Sequence, residues 1–257
     1  MNKILLQAHK GVELDYPENT MASFKAALEQ GYDIIELDPR ETRDGKFVVL
    51  HNEIINKTAR NKDGSELAEP VSILDLNYED TFAYDFGIWR GEQFKGEHLP
   101  LFSEALRFSV QHDIPLKIDR KIWKLPDVGR FLDEVNKSGA HVAISCKTAE
   151  NVEEALLHVP NAEISFDAPI GFDYIESVSE RIGRERTEMW FAIDKSMATW
   201  APETMFATKE TVEKARPFAK IGIWAVEDVE SYRQAVSLYQ PEMCETVGTI
   251  KPEQLEK

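Results

Sequence analysis

Apolar residues fall along this chain in short runs that alternate with stretches of helical spacing. Eight runs have the length of strands: Ile4–His9, Asp33–Asp38, Pro115–Asp119, His141–Ser145, Glu163–Phe166, Glu188–Ile193, Lys220–Val226 and Glu242–Thr246. Between them lie amphipathic stretches such as Ser23–Gln30, Val128–Lys137, Val152–Leu157 and Val229–Tyr239, which predict helices. Strand–helix alternation argues for a parallel α/β sheet. Eight such units in 257 residues predict a closed (β/α)8 TIM barrel forming one domain over residues 1–257. An open doubly wound sheet is the alternative, but no Gly-x-Gly-x-x-Gly phosphate loop follows the first strand. Residues 53–99 break the rhythm. Asn61-Lys62-Asp63-Gly64 reads as a turn, and Phe82, Tyr84, Phe86, Trp89 and Phe94 are too many aromatics for a disordered linker. This stretch predicts a small insertion after the second strand, packed over one end of the barrel. Its aromatics are either a satellite hydrophobic cluster or a substrate contact.

Composition narrows the partners. A hydrophobic content of 42% supports a sizeable core. The formal net charge of -16 argues against nucleic acid and anionic membranes, which call for a basic footprint. An anionic substrate would then need its own cation and local basic groups. Cys146 and Cys244 lack metal-type spacing and read as reduced, buried thiols. The apolar start Ile4-Leu5-Leu6 is too short for a signal peptide and no stretch is long enough to span a membrane, so the expected location is the cytoplasm.

The chemistry gathers between His9 and His51. Each histidine ends an apolar run, Ile4–Ala8 and Phe47–Leu50, and Glu36 and Asp38 end a third. Alternate strand residues point the same way, so Glu36 and Asp38 share a face and form a natural seat for a hard divalent cation. A histidine on either side suits acid–base work near neutral pH. Plainer readings exist for each piece. A strand-end histidine can be structural, and Asn19 or Thr20 can simply cap the helix that follows. Asp119 and Lys121 alternate at the end of the third strand, where a salt bridge among Asp119, Arg120 and Lys121 is the plain reading. Ser165-Phe166-Asp167 and Trp190 read as late-strand core, Asp194-Lys195 ends the sixth strand, and His98, His112, His141 and His158 read as structural.

Taken together, His9-Lys10-Gly11, Pro17-Glu18-Asn19-Thr20, Glu36-Leu37-Asp38, Asp44-Gly45 and His51-Asn52 resemble the signature of the glycerophosphodiester phosphodiesterase family. Lys10 stands for the family's arginine, Asn52 for its aspartate, and Asp119 for the glutamate of its Glu-x-Lys. The resemblance implies the same barrel, with its usual insertion ending near Asp85–Pro100. It implies metal-dependent hydrolysis of a small anionic glycerophosphodiester to glycerol phosphate and an alcohol, through a cyclic phosphate if a substrate hydroxyl attacks first. One Mg2+ or Ca2+ would sit on Glu36, Asp38 and Asp119, with His9 and His51 catalytic. Lys10 and Lys121 would contact phosphate, and Trp224, in a segment resembling the family's Trp-Thr-Val, would line the pocket. Glu18, Asn19 and Asn52 would support the site. Two other readings stay open: a metal-dependent sugar-phosphate isomerase or lyase on the same fold, and a barrel that binds a phosphate ligand without turning it over.

Overall fold

All eight apolar runs are strands. They are β1 (Leu5–Ala8), β2 (Ile34–Leu37), β3 (Leu116–Ile118), β4 (Val142–Cys146), β5 (Glu163–Phe166), β6 (Thr187–Ala192), β7 (Lys220–Val226) and β8 (Met243–Thr246). Each is hydrogen-bonded in parallel to its neighbour in the chain, and β1 also pairs with β8, Leu5 against Met243, which closes a TIM barrel. The structure is a computed structural model and describes residues 3–167, 171–193, 206–246 and 250–255. Asp194-Lys195 lies outside the described residues.

The outer helices are α1 (Met21–Glu29), α2 (Phe102–His112), α3 (Val128–Ser138), α4 (Ala149–His158), α5 (Phe172–Ile182), α6 (Lys209–Ala215) and α7 (Val229–Tyr239). Five begin on a side chain that accepts from an otherwise orphaned backbone N–H: Thr20, Asp127, Thr148, Thr208 and Asp228. The Thr148 cap explains why α4 starts three residues before the predicted Val152. No helix among the described residues is long and apolar enough to cross a membrane.

The main core fills the shell between strands and helices, with Phe24, Phe102, Phe131, Ile144 and Phe166 fully enclosed. The barrel lumen differs. Its apolar part is small, made by Ile34, Trp190 and Met243 with Leu5 and Trp224 against them. Trp190 fits because residue 222 is glycine: a Cβ there would stand 2.3 Å from the indole ring. Cys146 and Cys244 are buried free thiols, and burial raises the pKa of both, that of Cys244 to about 12.

The segment after β2 is an outwork. Pro39–Glu41 folds back antiparallel on Phe47–Val49. Beyond it, Val48, Leu50, Ile55, Ala59, Ile73, Phe86 and Leu99 form a second core of their own. Phe86 is the buried aromatic of this cluster. Phe94 packs on Tyr16 at 5.1 Å between ring centroids, and the Trp89 indole N–H donates to the Phe86 carbonyl. The satellite cluster is therefore present, and these rings do not line the cavity described next.

Candidate active site

A cavity of about 170 Å³ opens at the C-terminal ends of the strands, the end where TIM barrels carry their chemistry. Its walls include His9, Glu36, Asp38, His51, Asp119 and Lys121. Glu36 comes from β2 and Asp38 follows it, both buried, and strand alternation delivers them to one side as expected. Asp119 arrives differently. β3 ends at Ile118, and Asp119 caps a short 3-10 turn over Arg120–Lys124, accepting from the Lys121 backbone N–H. Asp119 and Lys121 meet through this turn and not through the strand alternation expected of them. One oxygen from each of Glu36, Asp38 and Asp119 lies within 4.8 Å of the others.

Lys121 sets an ammonium against this cluster, with Nζ 2.7 Å from Asp38 and 3.1 Å from Asp119. Asp38 is held down to about 2: burial opposes its charge, and Lys121, His51 and Lys10 overcome that opposition. Glu36 goes the other way. Burial, then Asp38, Glu245 and Asp119, push it well above the carboxylate range against the pull of His9. The Asn19 amide donates to Asp38 at 2.8 Å, and its carbonyl accepts from the Asp38 backbone N–H at 3.3 Å. Asn19 adopts φ 58° to do so, while its neighbour Thr20 caps α1. Of the two residues considered as caps, Thr20 caps the helix and Asn19 grips Asp38.

His9 follows β1. Its Nε2 lies 4.0 Å from Glu36, and its Nδ1 is paired with Glu13 at 2.5 Å. Burial opposes protonation, but Glu245, the Glu13 hydrogen bond and Glu36 raise the ring to about 9. His51 reaches the same cavity because the outer hairpin doubles back. The Leu50 N–H donates to the Asp38 carbonyl at 2.8 Å, which seats the next residue beside the carboxylates. Arg40 donates to the His51 carbonyl at 2.7 Å, and His51 Nδ1 is paired with Asn52 at 2.7 Å. Burial, with Lys10 and Lys121 nearby, lowers this ring against Asp38 and Asn52. Asp44-Gly45 is the hairpin's turn. Gly45 takes φ 75°, and Asp44 accepts from Thr42 at 2.6 Å.

Lys10 is placed differently from its expected phosphate contact. It is buried, its Nζ faces Glu13 at 3.4 Å and Glu18 at 3.9 Å, and it is not among the cavity's lining residues. Its backbone N–H donates to Glu36 at 3.0 Å. Gly11, at φ 77°, allows this close turn, since a Cβ there would come within 2.2 Å of Ser23 Oγ. Glu18 is buried and paired with Lys57 at 2.9 Å. Trp224 does line the cavity, on a bulge of β7 where the pairing with β8 shifts and Ala225 takes φ 64°. Sequence reasoning missed Lys117, Ser145 and Glu245 as lining residues, and passed over Asp167 as strand core. Alternation along β3, β4 and β8 was the signal that could have found the first three. Glu13 carried no signal, since its approach to His9 depends on a turn.

Residues 9–166 match the glycerophosphoryl diester phosphodiesterase family, and the chain belongs to that family. It is 38% identical over 119 residues to a glycerophosphodiester phosphodiesterase of Caldanaerobacter subterraneus subsp. tengcongensis, covering 46% of each chain. Over 137 residues it is 33% identical to one from Bacillus altitudinis, covering 52% of each. The matched stretch thus spans about half the length of these curated relatives. In fold, it resembles the glycerophosphodiester phosphodiesterase of Agrobacterium tumefaciens, with TM-score 0.67, 19% identity and coverage of 95% and 96%. It also resembles an Oleispira antarctica phosphodiesterase in complex with the product sn-glycerol-3-phosphate, with TM-score 0.71, 15% identity and coverage of 98% and 95%.

Proposed function

We propose that this protein hydrolyses a small glycerophosphodiester to glycerol phosphate and an alcohol, with one divalent cation and two histidines. One observation carries the reading: three carboxylates within 4.8 Å of one another, facing a cavity that His9 and His51 also line. The donor set fits a hard ion, being all oxygen, and Glu36 is pushed up first by burial and then by the carboxylates crowded around it. Glu36, Asp38 and Asp119 would hold Mg2+ or Ca2+. When bound, the cation supplies charge neutralisation and polarisation of the phosphoryl group.

The chain's own residues do the rest. Lys121 sets an ammonium beside the carboxylates and would meet a phosphate oxygen. Lys10 acts mainly from behind, holding Glu36 through its N–H, with its ammonium near enough to favour a charged Asp38. His9 and His51 exchange protons with the attacking and departing oxygens. Asn19 and Asn52 hold Asp38 and His51 in place, Glu18 anchors the first loop through Lys57, and Trp224 walls the pocket. The family relationship and the neighbour bound to sn-glycerol-3-phosphate support the substrate class.

The test is turnover of glycerophosphocholine and bis(p-nitrophenyl) phosphate with and without EDTA. Activity that disappears in chelator and returns with Mg2+ or Ca2+ is expected. Full activity in metal-free enzyme would remove the metal-assisted reading, and no turnover of any phosphodiester would favour a ligand-binding barrel.

A further inference from the structure

His9 is gripped by a residue outside every motif of the signature. Glu13 lies four positions on, but no helix brings it back. Lys10 at φ 51° and Gly11 at φ 77° are two left-handed residues in succession, and they reverse the chain immediately after His9. The Tyr16 N–H then closes a turn on the Val12 carbonyl at 3.0 Å, which holds the returning segment over the ring. Glu13 uses both oxygens: Oε1 meets His9 Nδ1 at 2.5 Å, and Oε2 meets Lys10 Nζ at 3.4 Å. The carboxylate is thus fixed at both ends and is not among the cavity's lining residues. With Nδ1 engaged, the ring's other nitrogen is left to the cavity, where His9 is one of the walls.

We propose that Glu13 is the positioning residue for His9, fixing the ring so that Nε2 exchanges the proton with substrate. The assignment rests on His9 being catalytic, as the proposed function holds. A carboxylate on the far nitrogen of a catalytic imidazole sets both its orientation and which nitrogen carries the proton. The Lys10 ammonium keeps that carboxylate from turning away. His51 has a weaker counterpart, because its Nδ1 partner is the neutral amide of Asn52.

The test compares the metal-loaded wild type with Glu13→Ala, Glu13→Gln, His9→Ala and the double variant His9→Ala/Glu13→Ala. Melting temperature and metal content are measured for each. Glu13→Ala is expected to lose at least about tenfold in kcat on an alkyl phosphodiester with KM changed less than about threefold, since misplaced partners of this kind typically cost ~10- to 100-fold. Glu13→Gln keeps an acceptor oxygen and should recover part of the loss. The double variant should be no slower than His9→Ala alone, because Glu13 acts through the ring. Independently of activity, the wild type should show a hydrogen-bonded Nδ1 proton far downfield in its NMR spectrum. That signal should be absent from His9→Ala and lost in Glu13→Ala. A kcat loss below tenfold in Glu13→Ala, or a double variant slower than His9→Ala by the full Glu13→Ala factor, overturns the proposal. Near wild-type turnover in His9→Ala would instead overturn the catalytic role of His9, and the Nδ1 signal would still report whether Glu13 holds the ring.

Discussion

The two ends of the barrel each gather acidic side chains, and they answer them to different degrees. At the N-terminal end, Glu163 and Glu188 are answered by Lys220, which pairs with Glu163 and lies 3.4 Å from Glu188. His141 adds a further contact to Glu163 at 2.7 Å. At the C-terminal end, among the described residues, Lys121 pairs with Asp38 and Asp119, while Glu36 meets His9 Nε2 at 4.0 Å. The electrostatic consequences follow. Glu163 is held down to about 2, its hydrogen bond from His141 and the Lys220 charge overcoming the burial that opposes its ionisation, while burial and Glu163 push the more deeply buried Glu188 up against the pull of Lys220. Glu36 is pushed up by burial and by its own carboxylate neighbours. A closed set of charges is a structural joint, whereas an open set is a seat waiting for a positive group.

The sharpest way to break this comparison is to neutralise the open set. Asp38→Asn and Asp119→Asn should each abolish saturable Mg2+ or Ca2+ binding in titration calorimetry and reduce turnover to background. Wild-type metal affinity in either variant would mean that the seat lies elsewhere. Next in size is the loss of the histidines that flank it. His9→Ala and His51→Ala should each lose at least ~100-fold in kcat with metal content unchanged. Their double variant should lose less than the product of the two, since groups that act together are not additive. p-Nitrophenol leaves without needing a proton, so the variant lacking the acid should recover on a p-nitrophenyl ester more than the variant lacking the base.

The closed set should respond in stability instead. Lys220→Met takes the ammonium from buried Glu188 and leaves Glu163 with His141, and should cost about 3 kcal/mol in urea unfolding, with kcat per folded molecule unchanged. An unfolding midpoint equal to wild type would show that the pairing holds nothing together. The smallest effect expected runs in the other direction. Glu36→Gln keeps an acceptor for the Lys10 N–H while removing the crowded charge, and should stabilise the metal-free protein by about 1 kcal/mol at pH 7 to 8, a trade of stability against function.

The same contrast has a pH signature in EDTA. Glu163 has a depressed pKa, so its contribution is complete above about 4.5 and is lost as pH falls toward 2. Glu36 has a raised pKa, so its contribution is present below the ordinary carboxylate value and is lost as pH rises through its folded value. Urea midpoints across the pH range should therefore show Lys220→Met flattening the acid limb and Glu36→Gln flattening the limb above the ordinary carboxylate range.

Much of this was legible in the sequence. The eight strands stood out because a parallel barrel buries both faces of each strand and so writes compact apolar runs. Four helices were named from periodicity, whereas α2, α5 and α6 were not. The first of these begins three residues after residue 99, in the shadow of an aromatic-rich insertion that masks its own spacing. Glu36, Asp38 and His9 could be placed at one mouth from strand ends, whereas His51 follows a strand of the outer hairpin and reaches the mouth because that hairpin doubles back. The Asp119–Lys121 arrangement could not, because it depends on where β3 stops and a turn begins. Lys10 was read as a phosphate contact because charge is visible in sequence and direction is not. Its positive φ sends the side chain to Glu13 and Glu18. Glu13 itself was invisible for the same reason: contacts made by a left-handed reversal leave no periodic trace.

Trp190 lies across the lumen between the two charged ends, against Gly222, with the Lys117 ammonium 3.8 Å over its ring. Lys117 borders both the mouth cavity and a second cavity of about 200 Å³ at the opposite end. The indole is a bulkhead. Its seam is Lys117, whose charge acts on Glu188 at one end and on Asp167 at the other, while Gln7 at the foot donates to Glu245 at the mouth. A seam of this kind makes rim and foundation answer to each other: charge changes at the two ends that share Lys117 should combine non-additively.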